Sequence, residues 1–161
     1  MKRLLYAIGV AAIASAALVS CNGNNKETSG NQESRSLPIL GTWRYASMTY
    51  IVSGDKHDTI STVYGPDTIQ IYDAYRRDSI LESYVTLKDS ILRQTQMHYI
   101  FRNDSILAEN GEKKVQVHVA NTTDSILNFD FTLTDGDKTA YCETLSERCE
   151  LPAWLRQKIK K

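Results

Sequence analysis

Proline occurs only three times in this 161-residue chain and cysteine three times, and 19 Lys and Arg are met by 19 Asp and Glu. So few prolines leave little to interrupt extended strands. The balanced charge gives no nucleic-acid footprint, and the single basic cluster is the tail Arg156, Lys158, Lys160 and Lys161. Catalytic signatures are missing as well: there is no Gly-rich phosphate loop, no Gly-x-Ser-x-Gly elbow and no His-Glu-x-x-His. The three histidines, His57, His98 and His118, stand far apart. A strand pairing can bring His98 beside His118, but a metal wants at least one further ligand. The carboxylates mostly occupy turn positions, where they are solvated and nothing raises their pKa. No enzymatic activity, cofactor or metal is therefore expected.

Long apolar runs are scarce too. One spans Leu4 to Val19, after the basic residues Lys2 and Arg3, and it ends in small residues before Cys21. That layout is a secretory signal, somewhat short for a membrane span, and no second run follows it. Leu18-Val19-Ser20-Cys21 resembles the lipobox of bacterial lipoproteins. The resemblance implies cleavage before Cys21, a diacylglyceryl group on its sulfur and an acyl chain such as palmitate on its amine. Each buried CH2 contributes about 0.8 kcal/mol, so two or more chains make a stable anchor. The protein would then sit in the bacterial cell envelope, on the outer membrane, with the periplasmic and surface faces both open. The alternative is an ordinary signal peptide with a chance cysteine.

Residues 22–36, NGNNKETSGNQESRS, offer nothing apolar to offset the entropy of ordering them and read as a flexible linker. At Leu37 the composition changes, and 37–161 reads as one domain with a core of its own. Thr, Val, Ile and Tyr are frequent from there on, and a short unit recurs: Asp58-Thr59-Ile60, Asp67-Thr68-Ile69, Asp78-Ser79-Ile80, Asp89-Ser90-Ile91, Asp104-Ser105-Ile106 and Asp124-Ser125-Ile126. Asp bonds backbone amides just ahead of it and favours a turn, whereas the β-branched residue after it favours extension. Each unit thus ends a turn and starts a strand. One Asp per turn does not supply the converging oxygens of a calcium site. Asn110-Gly111 and Asp135-Gly136 add hairpin signals. Strands are expected near 40–52, 59–64, 68–75, 79–87, 90–102, 105–109, 113–121, 125–134 and 138–145.

Alternation in two of them shows one wet face: Val115, Val117 and Val119 alternate with Gln116, His118 and Ala120, and Leu127, Phe129, Phe131 and Leu133 alternate with polar residues. The expected fold is all-β, an antiparallel up-and-down meander of about eight or nine strands closing into a barrel to remove its edges. A two-sheet sandwich is the competitor. After it, Pro152 opens a short helix whose Leu151, Leu155 and Ile159 recur beside Trp154. That stripe packs on the domain or, with the basic tail, meets anionic head groups. With Cys21 acylated, Cys142 and Cys149 remain. In an oxidising compartment they are expected to form a disulfide that contributes about 2 to 2.5 kcal/mol. Two cysteines without nearby histidines fall short of a zinc site.

Leu40-Gly41-Thr42-Trp43 resembles the Gly-x-Trp motif that opens lipocalins and the lipocalin-like domains of small bacterial lipoproteins. The resemblance covers residue 40 to the end and implies a closed barrel. It makes Gly41 the turn into the first strand and Trp43 a structural plug under an arginine from the C-terminal region, either Arg148 or Arg156. The other loop motifs of lipocalins are absent, so no ligand site carries over residue by residue. A small apolar or amphipathic ligand inside the barrel is the function implied, and Tyr72, Tyr84, Tyr99, Phe129 and Phe131 are the aromatic side chains expected to line the pocket. The alternative is a structural or interaction lipoprotein with a filled barrel that engages envelope proteins or polysaccharide. Cavity size separates them: about 300 Å3 or more favours the ligand, and a packed interior with an exposed apolar patch favours the other. The oligomeric state is left open.

Overall fold

The structure, a computed structural model, describes residues 37–53, 58–111, 114–135 and 138–160. The lipobox with Cys21, the linker and His57 lie outside the described residues. Nine strands follow in order: β1 Gly41–Ser53, β2 Asp58–Val63, β3 Ile69–Tyr75, β4 Ile80–Leu87, β5 Ser90–Arg102, β6 Ser105–Glu109, β7 Lys114–Thr122, β8 Ile126–Asp135 and β9 Lys138–Cys149. A helix, α1 (Ala153–Ile159), ends the fold, with Pro152 one residue before it rather than inside it. From β3 to β9 each strand pairs antiparallel with the next, and β9 returns to pair with β1 along nearly its whole length. The sheet is therefore a closed barrel of eight strands, not a sandwich.

The ninth strand departs from a simple meander. β2 pairs with Ser47 to Val52 of β1, whereas β3 pairs with Gly41 to Arg44 of the same edge. The switch falls at Ala46, where the β1–β9 register slips by one residue and the Ala46 carbonyl accepts the amide of Tyr64. A bulge bends its strand and shifts the side-chain parity, so Trp43 and Tyr45 before it and Met48 and Tyr50 after it all point into the core.

The turn chemistry is local. Asn103 (φ 50°) and Asp104 (φ 53°) form a two-residue turn with both residues left-handed, the geometry of a type I′ hairpin. Lys88 (φ 51°) and Ser79 (φ 62°) take the same region at two other turns. At Asn110-Gly111 the loop is longer, since Glu109 pairs with Lys114, and among its described residues only Gly111 has a positive φ (85°).

One end of the barrel is closed by the segment before β1. Trp43 is fully buried, its indole N–H donates to the Ile39 carbonyl at 2.8 Å, and the Arg148 guanidinium lies 4.2 Å from the ring centroid. Of the two arginines, Arg148 covers the tryptophan; it also donates to the carbonyls of Leu40, at 2.7 Å, and Asp124. Arg156 instead pairs with Glu150 at 3.3 Å. Gly41 has a φ of 124°, and a Cβ there would come within 2.2 Å of Arg148 Nη1. Glycine is the residue that fits both constraints.

The helix packs outside the barrel. Leu155 is fully buried against Tyr72 and Tyr84, with Leu151, Trp154, Ile159 and Ile91 around them. Ile91 reaches this face because the β4–β5 register slips at Leu92. Lys158 Nζ bonds the Asp89 carbonyl at 2.6 Å and lies over the Trp154 ring. The helical stripe is thus spent on the protein's own wall. No helix of the described residues is long and apolar enough to cross a membrane.

The expected disulfide does not form. Cys142 and Cys149 are free, and both lie on β9, seven residues apart. An odd separation in an uninterrupted strand puts the two side chains on opposite faces. Cys142 belongs to the interior core, and Cys149 packs outside beside the helix. At roughly 3.3 Å per residue the two are ~23 Å apart, and a disulfide spans about 4.4 to 6.8 Å between Cα atoms. No rotamer closes that distance.

Candidate functional site

Inside the barrel is a cavity of about 50 Å3. Its walls are aromatic (Tyr45, Tyr75, Phe129, Phe131), flexible (Met48, Met97) and aliphatic (Leu81, Ile106, Ala108, Val115, Val117), with Asp73 and Ser83 the polar exceptions. Strand alternation creates this composition. Ile71, Asp73 and Tyr75 point inward from β3, and Leu81 and Ser83 from β4, with Asp73 directly opposite Ser83 in the register. Asp73 also pairs with Trp43 of β1, so the polar spot lies toward the plugged end.

Asp73 is 5% exposed and Ser83 4%. The Tyr45 hydroxyl donates to Asp73 Oδ2 at 2.9 Å. Asp73 Oδ1 and Ser83 Oγ, both buried, have no partner beyond this pair, and the Ser83 hydroxyl is placed to donate to the carboxylate opposite it. Burial raises the Asp73 carboxyl above the ordinary carboxylate range, opposed by the neighbouring hydroxyls of Ser83 and Tyr45. Tyr45 and Tyr75 are pushed well above the usual phenol value, chiefly by burial and next by the Asp73 charge, so both stay protonated. No Lys, Arg or His is among the described residues lining the cavity. Around the carboxylate the rings interlock edge to face, Tyr45 on Phe129 with centroids 5.5 Å apart and Tyr75 on Tyr99 at 5.3 Å.

The five expected pocket residues divide. Phe129 and Phe131 line the cavity. Tyr99 is in the core beside Tyr75, behind the lining, with its hydroxyl donating to the Arg76 carbonyl at 2.7 Å. Tyr72 and Tyr84 are corrected: they face out of the barrel, buried under α1, and their hydroxyls bond Gln70 and Glu82. The reason is that β3 and β4 are covered on both sides, by the core within and by α1 without. Tyr45, Tyr75, Asp73 and Ser83 were missed. Parity counted from Ile71 on β3 and from Leu81 on β4 would have placed Asp73, Tyr75 and Ser83 inside.

His98 and His118 do not meet. His98 pairs with Glu109 and His118 with Ser105, at opposite ends of β6. His118 Nδ1 lies 2.9 Å from Asp130 Oδ1 on the outer surface. Among the described residues no three His, Cys, Asp or Glu side chains are grouped as a metal would need.

The sequence matches no protein-family model and no curated protein. Solved structures with a similar fold include a lipocalin-like protein from Bacteroides uniformis, at 11% identity and a TM-score of 0.45, over 70% of this chain and 99% of that one. A bovine lipocalin allergen shares 14% identity at a TM-score of 0.43, over 76% of this chain and 82% of its own. Bovine odorant-binding protein, in complex with a selenium-containing odorant, shares 11% identity at a TM-score of 0.43, over 83% and 85%.

Proposed function

We propose that this protein is a lipid-anchored binding protein of the bacterial envelope that holds a small amphipathic molecule inside its barrel. The observation that carries the reading is a buried carboxylate, Asp73, at an apolar cavity whose described lining has no cation. Burying a charge without a counter-charge is costly. A barrel evolved only to be filled gains nothing from it, whereas a ligand that supplies the missing charge or donors recovers part of that cost. The anchor rests on the lipobox and Cys21, and no catalytic chemistry is assigned to the site.

One observation favours the second reading, an interaction lipoprotein with a filled barrel. A cavity of about 50 Å3 is well under the several hundred of an ordinary ligand site. It holds a few water-sized groups. Binding a larger molecule requires the unbranched side chains of Met48 and Met97 to repack, which thioethers do more readily than branched residues. Native mass spectrometry on the Cys21→Ala protein, isolated without detergent, distinguishes the readings: ligand binding predicts a bound small mass, and an apo mass with no uptake of an apolar fluorescent probe refutes it. For the anchor, Cys21→Ala is expected to leave the membrane fraction; a variant that stays after a high-salt wash overturns it.

A further inference from the structure

We infer that the group this cavity accepts is a small organic ammonium ion, its nitrogen bonded to Asp73 and Ser83 and its carbon atoms among the rings of Tyr45, Tyr75 and Phe129. The inference rests on the binding reading above and names the chemistry of the ligand. Asp73 brings a carboxylate into a site whose described lining has no cation, and no salt bridge among the described residues engages it. Its Oδ2 accepts from Tyr45, and Ser83, opposite it across β3 and β4, is the other polar residue of the lining. A serine hydroxyl that donates to the carboxylate keeps its lone pairs for an N–H of the ligand.

Charge selects among the candidate ligands. An anion meets a carboxylate and the negative faces of aromatic rings, and both repel it. A neutral alcohol satisfies one acceptor and leaves the charge without a partner. An ammonium group brings up to three donors and a positive charge, which suits a carboxylate, a hydroxyl and ring faces together. Volume selects as well. About 50 Å3 admits a head group and a short chain, and the lining beyond Phe129, at Phe131 and Val115, is apolar. A longer tail extends that way only as Met48 and Met97 yield. Primary amines with short alkyl chains are therefore the class that fits.

The test is calorimetric titration of the full-length anchored protein in lipid nanodiscs with butylammonium, 1-butanol and butyrate, which differ only in the polar end. Butylammonium is expected to bind about tenfold or more tighter than 1-butanol, the weight of one charge-assisted contact, and butyrate not at all. Asp73→Asn, equal in size, is expected to remove the ammonium preference, so that butylammonium binds no tighter than 1-butanol. Equal binding of all three ligands, or ammonium binding unaltered in Asp73→Asn, overturns the ammonium inference while the amphipathic reading stands. If none of the three binds but an apolar fluorescent probe does, the inference fails alone. If that probe also fails, the binding reading fails with it. The comparison of ligands on the unsubstituted protein holds even where the variant does not fold.

Discussion

Replacing Gly41 by alanine tests how the closed end of the barrel is built. The position has a φ of 124°, a region reserved for glycine, and a Cβ there would overlap Arg148 Nη1 at 2.2 Å. Holding a non-glycine residue in such a conformation costs about 1 to 3 kcal/mol. The guanidinium sits at the end of a flexible side chain and can swing away, but it then gives up its bond to the Leu40 carbonyl and its place over Trp43. Arg148 is exposed, so these contacts belong at the low end of their ranges, about 1 to 2 kcal/mol together. The expected loss is about 2 to 5 kcal/mol, a large share of the ~5 to 15 kcal/mol of a typical domain. Urea melts of Gly41→Ala, Arg148→Ala and the double variant read it. If the clash with Arg148 matters, the double variant loses less than the sum of the singles by about 1 to 2 kcal/mol. Strict additivity, or a Gly41→Ala variant that melts like the parent, refutes the argument.

Three further outcomes are expected. Trypsin cuts after Arg148 and separates Cys142 from Cys149, so unreduced digests should give two unlinked thiol peptides; a disulfide-linked pair refutes the strand parity described above. In the folded protein Cys142 should alkylate far more slowly than after unfolding, because burial pushes its thiol up to about 11. Asp73→Asn should be more stable than the parent at neutral pH, with the advantage shrinking on acidification. The raised carboxyl means that the folded state binds the proton more tightly than the unfolded one, so parental stability falls as pH rises out of the ordinary carboxylate range toward the raised value. Asparagine lacks that slope, and thermal melts at several pH values that showed the same offset throughout would refute the assignment of a buried, titrating Asp73.

Most strands were legible because their boundaries are written locally. Asp104-Ser105-Ile106 places a left-handed Asp in the turn and the buried Ile106 one residue into β6, and the same logic starts β4 and β5 within one residue of the expected positions. Two features were not local. The bulge at Ala46, which lets β2 and β3 share one edge of β1, depends on the closure of the barrel. The outer burial of Tyr72 and Tyr84 depends on where α1 lands. On β3 this leaves Ile71 to Tyr75 buried without alternation, the pattern of a strand covered on both faces. The disulfide was misjudged for a related reason: β9 was expected to end near residue 145, and once it runs to Cys149 the odd spacing alone excludes the bond.

Asp73 was hidden by its own chemistry. Elsewhere in the chain Asp marks turns, as at Asp89 and Asp104, so an Asp inside the expected strand 68–75 gives no inward signal of its own. Parity argues otherwise, since Ile71 and Tyr75 both face the core and the residue between them in phase must do so too. An in-phase Asp between two core residues is a local rule broken. Such breaks are expected where function rather than stability sets the residue. Asparagine would fit the same space and keep an acceptor for Tyr45 without the desolvated charge. Stability and ligand recognition therefore push position 73 in opposite directions. One variant, Asp73→Asn, should show both, with a higher melting temperature at neutral pH and a lost preference for butylammonium. A buried carboxylate that served only the fold has no reason to link those two changes.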